Sequence, residues 1–149
     1  MQDRRLRISL FILRLTVFIV MLMWTLDKFI RPEHAAHVYK VFYGIGSFET
    51  VLMYLIGAVE LIILTGFIIG FLKTFTYGIV MVVHGISTLS SYEQYLAPYA
   101  EGPNLLFFAA WPMLAACIGL FLLRKRDTLL ALGGRSDEDS AEGNERGGD

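Results

Sequence analysis

The sequence is short of charge, of cysteine and of any recognisable catalytic constellation. Charged residues make up 18% of it, against 55% apolar and 13% aromatic. They gather at the two ends and in the gaps between long apolar runs. A water-soluble domain spreads its charges along every amphipathic element, so this distribution points to lipid as the solvent. A lone cysteine, Cys117, excludes an internal disulfide, a CxxC redox pair and a cysteine zinc site. Lying within an apolar run, it reads as a buried, inert thiol. No basic, aromatic-interleaved patch is present, so nucleic acid is not an expected partner. No Ser-His-Asp set, phosphate loop or two-metal carboxylate cluster appears, which leaves no catalytic residue to name. The first apolar run follows Arg4, Arg5 and Arg7 but ends in Trp24-Thr25-Leu26-Asp27-Lys28 without a small-residue cleavage site. It reads as a retained helix and not as a signal peptide.

What the sequence does have is four runs of roughly 17–25 residues, the length a bilayer requires. They cover about residues 8–26, 49–72, 74–91 and 105–123. Arg14 interrupts the first and Glu60 the second. The third carries His84 with Ser87, Thr88, Ser90 and Ser91, and Pro112 lies at the middle of the fourth, where it is expected to kink the helix. Between the first two runs, Arg31-Pro32-Glu33 has the form of a helix start. Ala35, Val38, Phe42 and Ile45 follow at helical spacing, and Gly44 and Gly46 supply the stop. The expected fold class is therefore all-α: an integral membrane four-helix bundle with a short interfacial helix between helices 1 and 2. This domain is expected over residues 1–132. The Gly-, Ser-, Asp- and Glu-rich stretch 133–149 reads as a disordered acidic cytoplasmic tail.

Seven basic residues (Arg4, Arg5, Arg7, Lys73, Arg124, Lys125, Arg126) flank one side of these runs, and three (Lys28, Arg31, Lys40) the other. With an even number of spans, this bias predicts a multi-pass membrane protein with both termini cytoplasmic. Small residues four apart, Gly66 with Gly70 and Ala115 with Gly119, allow close helix approach within the chain or in a homo-oligomer.

Ionisable groups inside a membrane are costly, so they are expected to face one another or a wet cavity. At 1.5 Å per residue, Arg14, Glu60 and His84 lie roughly 12, 18 and 15 Å from the basic side. That depth makes Arg14 and Glu60 the natural ion pair. Arg14, Thr25 and Lys28 share one face of helix 1, and Glu49 and Glu60 share one face of helix 2, which brings Lys28 toward Glu49. His84, Ser87, Thr88 and Ser91 form a third polar strip. If the three strips converge, they make a pocket with Asp27, Lys28 and Glu49 at its mouth. Arg14, Glu60, His84, Lys28, Glu49 and Asp27 are thus the candidate ligand-binding residues, and the bland alternative is an ion pair that only fixes helix register. His34 and His37 are spaced to offer a metal two ligands, but without HExxH or further ligands they read as solvated loop histidines. Haem is disfavoured because His84 is the one histidine within a run.

Ile12-Leu13-Arg14-Leu15, then Trp24-Thr25-Leu26-Asp27-Lys28-Phe29, then Gly57-Ala58-Val59-Glu60 and a leucine-rich stretch to Gly66 together resemble the DoxX family of small four-helix membrane proteins. The resemblance covers about residues 6–125, and Thr25 stands where many members have glycine. It implies polar positions at Arg14, Lys28 and Glu60. It also implies a membrane subunit, or a binding partner for a quinone- or lipid-like molecule, in a redox system with a protein partner. The alternatives are a non-enzymatic scaffold or assembly factor, and a small oligomeric transporter.

Overall fold

A computed structural model of the protein describes residues 2–45 and 50–132. Glu49 and the stretch 133–149 lie outside the described residues. The described chain is helical. The long helices are α1 (Gln2–Ile30), α3 (Thr50–Ile68), α4 (Lys73–Ser90) and α6 (Ala110–Leu122); α2 (Pro32–Tyr43) and α5 (Tyr92–Leu96) are short. A 3-10 segment, Asn104–Ala109, runs directly into α6.

Among the described residues, three helices are long and apolar enough to cross a membrane: Arg4–Ile30, Thr50–Ile68 and the continuous Asn104–Leu122. The composition is that of a helical membrane protein. α4 has 18 residues, a sufficient length, but its histidine and hydroxyl side chains make it less apolar than the others. The surface supports the same class. Ile62 and Leu106 are each 74% exposed, and Val51, Leu55, Leu89 and Leu122 also point outward. Apolar side chains on this scale, facing out along whole helices, have no aqueous partner.

The four long helices pack in a ring, α1 on α3, α3 on α4, α4 on α6 and α6 back on α1. Each contributes a pair to one buried cluster: Leu10 and Val17, Leu64 and Phe67, Tyr77 and Val80, Cys117 and Leu120. The expected burial of Cys117 is thus observed. One end of the ring gathers Arg4, Arg7, Lys73 and the segment after α6, and is called here the basic end. At the other, the capped end, α2 lies against α1 and α3, and Phe42 stacks on Phe107 of the 3-10 segment with ring centroids 5.7 Å apart. Pro32 opens α2 where its missing N–H costs nothing, and Gly44 closes it in the left-handed region at φ 65°.

Pro112 lies just after a change of helix type, not within one uniform α-helix. The run is 3-10 up to Ala109, so Pro112 falls in the first turn of α6, where no intrahelical donor is needed. A second local feature sets the basic end. α3 closes at Gly70, φ 66°, with Phe71 N–H bonded to the Gly66 carbonyl at 2.8 Å. A Cβ on Gly70 would sit 2.6 Å from the Ala131 Cβ and 3.0 Å from the Arg14 guanidinium. The missing side chain is what lets the segment after α6 pass beneath α3, where Leu132 N–H reaches the Ile69 carbonyl at 2.8 Å.

Candidate functional site

Two polar centres form, and neither is the expected Arg14–Glu60 pair. The reason is the register of α1 against α3. Gly57 lies level with Lys28 and Phe29, since a Cβ there would be 3.4 Å from the Lys28 Cβ and 2.7 Å from the Phe29 ring. Gly70 lies level with Arg14. Glu60 is consequently level with Thr25, eleven residues beyond Arg14 and about 16 Å along the helix axis. Eleven residues is close to three full turns. The faces expected from helical phase are therefore the ones that meet, displaced by three turns.

The first centre surrounds Glu60. Its carboxylate takes the Lys28 ammonium at 2.9 Å and the Thr25 hydroxyl at 2.9 Å, both from α1. Tyr39 of α2 reaches the same carboxylate. Lys28 also donates to the Trp24 carbonyl at 3.3 Å and lies 5.7 Å over the Tyr39 ring. Burial, and then the Glu60 carboxylate, push the Tyr39 phenol above the ordinary tyrosine range, so it is held as a neutral donor. Three donors from two helices converge on one acceptor, yet the Glu60 side chain remains 20% exposed. Beside it, between Met21, Ile63, Ile79 and Val83, a half-open cavity of about 30 Å³ is walled almost wholly by apolar groups. That volume holds about two waters, far less than a quinone ring requires.

The second centre surrounds Arg14, at the basic end. Its guanidinium pairs with Asp127 at 3.3 Å and donates to the Tyr77 hydroxyl at 3.2 Å. It also donates to the carbonyls of Leu129 and Leu130. Tyr77 donates in turn to Asp127 at 2.7 Å, and Lys73 holds the Asp127 carbonyl at 2.6 Å. Both charged side chains are 0% exposed. The segment after α6 folds back across the ring and closes over Arg14.

Asp27 and His84 join neither centre. Asp27 turns away from its neighbour Lys28 and pins the α1–α2 corner, taking Arg31 at 2.6 Å and His34 at 2.6 Å. His84 turns to α6, where its Nε2 meets the Ala110 carbonyl at 3.2 Å. The hydroxyls of Thr88 and Ser91 bond back to carbonyls of α4 itself. α4 therefore presents aliphatic side chains to the Glu60 cavity, and the three polar strips do not converge. The pairing expected between Lys28 and Glu49 falls outside the described residues; Lys28 is taken by Glu60. His34 and His37, read from the sequence as solvated loop histidines, lie within α2, and His34 is the one that pairs with Asp27.

Sequence reading missed Asp127, Tyr77 and Tyr39. For Asp127 a signal existed. It is a carboxylate directly after Arg124-Lys125-Arg126, at the same end as Arg14, and a buried cation there needs an anion from that end. No protein-family model, curated protein or solved structure matches the chain.

Proposed function

We propose that this is a DoxX-like inner-membrane protein that crosses the bilayer four times, with both termini cytoplasmic. In this reading it presents the Glu60–Lys28 centre to a quinone- or lipid-like molecule as the membrane subunit of a redox system. Outward apolar side chains and the gathering of basic residues at one end support the membrane placement. α4 is the least apolar of the four, but its place in the ring, between α3 and α6, favours a fourth crossing.

The observation that carries the binding reading is the state of Glu60. A carboxylate collected by three donors, on a side chain that is still one-fifth exposed and borders an apolar notch, is arranged for a polar edge arriving from the lipid side. Because the notch admits only about two waters, the bulk of such a molecule stays among exposed aliphatic side chains, and only its head reaches Glu60. The second reading, a scaffold whose charges are structural, is favoured by the sealed Arg14–Asp127 pair.

Mass spectrometry of organic extracts from detergent-purified protein separates the two. The binding reading expects a stoichiometric quinone or lipid, lost in Glu60→Gln with helical content retained. The same ligand is kept in His84→Ala, since His84 faces α6. An equally empty wild type and Glu60→Gln variant leave the scaffold.

A further inference from the structure

A groove of about 320 Å³ opens at the basic end, lined by Arg4, Arg7 and Ile8 of α1 and by Leu129 of the segment after α6. Arg4 and Arg7 are three residues apart on one helical face, about 4.5 Å along the axis, and both are exposed. Ile8, on the same face, and Leu129 line the groove together with the two arginines, and its walls are almost wholly apolar. An apolar groove bordered by two exposed arginines matches an amphiphile with an anionic head. Guanidinium groups are also the side chains best suited to paired contacts with phosphate oxygens.

We infer that this groove seats an anionic phospholipid, its phosphate between Arg4 and Arg7 and the start of its acyl chains against Ile8 and Leu129. The inference rests on the membrane placement proposed above. It does not involve the Glu60 centre. The position of Leu129 gives the seat a consequence. Its carbonyl accepts from the Arg14 guanidinium, so the groove wall and the closure over Arg14 are one piece of chain. A lipid held on Leu129 therefore also holds the closure in place, and lipid binding should raise thermal stability.

The test uses the full chain in nanodiscs of phosphatidylcholine, with and without phosphatidylglycerol, read by lipid retention in native mass spectrometry and by melting temperature. The expected result is selective retention of phosphatidylglycerol and a higher melting temperature in its presence. Arg4→Gln with Arg7→Gln should weaken retention about thirtyfold, two basic contacts' worth, and abolish the thermal shift. Arg5→Gln with Lys125→Gln removes the same charge from exposed positions that do not line the groove, and should leave both readouts near wild type. Equal loss in the two variants means diffuse attraction and overturns the seat, as does incorporation without lipid preference. A chain that does not enter nanodiscs at all fails the membrane placement itself.

Discussion

The two ends of the ring meet the same difficulty, a cation among apolar helices, and resolve it differently. At the basic end Arg14 is surrounded by Asp127, the Tyr77 hydroxyl and two backbone carbonyls, and neither charge retains any exposure. Toward the capped end, Lys28 and Glu60 are gathered just as closely, but the Glu60 side chain keeps a fifth of its surface open and borders a cavity. Distance does not distinguish them; access does. A sealed pair can only hold helices together, whereas an open pair has something left to offer a ligand.

That contrast can be broken most sharply at Asp127. Replacing it by Ala leaves a buried guanidinium without its anion and should cost about 3–5 kcal/mol, read as a loss of thermal stability in detergent. Arg14→Leu with Asp127→Leu should recover much of that loss. In a double-mutant cycle Arg14 and Glu60 should be additive to within about 0.5 kcal/mol, because they lie three turns apart. A large Arg14–Glu60 coupling would overturn the register described above.

Glu60→Ala should be milder, about 1.5–3 kcal/mol, the range for hydrogen bonds to a charged group, since the Lys28 it abandons keeps the Trp24 carbonyl and its place over the Tyr39 ring. If Glu60→Ala costs more than Asp127→Ala, the open and sealed centres have been assigned the wrong way round.

The smallest effect concerns pH. Burial and the neighbouring Glu60 carboxylate raise the Tyr39 phenol above its unfolded value. A group raised in this way contributes stability that is fully present below the ordinary tyrosine pKa of about 10. The contribution is lost as pH climbs through the folded value. Ultraviolet titration should find a late-ionising tyrosine that disappears in Tyr39→Phe, and the variant's alkaline stability profile should be flatter than wild type. A Tyr39 that titrates with the exposed tyrosines would separate α2 from the Glu60 centre.

The helices and their polar faces were legible because periodicity is written locally. Arg14, Thr25 and Lys28 do share a face, Glu60 does meet it, and α2 starts at Pro32 and stops at Gly44 as the residues suggest. Register was not legible. Depth was counted from the edges of the apolar runs, but α1 runs on to Gln2 at one end and Ile30 at the other. A slip of three turns then leaves every face unchanged. What fixes the true offset is contact between distant residues, Gly57 with Phe29 and Gly70 with Arg14. No window of sequence contains such a pair. The return of the chain over Arg14 was hidden for the same reason: backbone carbonyls at Leu129 and Leu130 have no signature in residue identity.

The same return gives the protein an order of manufacture. Arg14 belongs to α1, while the carbonyl of Leu129 that grips it lies 115 residues later in the chain. Synthesis proceeds at about 5–20 residues per second, so the guanidinium waits at least several seconds before its anion Asp127 and the Leu129 carbonyl exist. Through that interval the nascent chain carries an unmatched cation. A chain interrupted before Asp127 would carry it permanently.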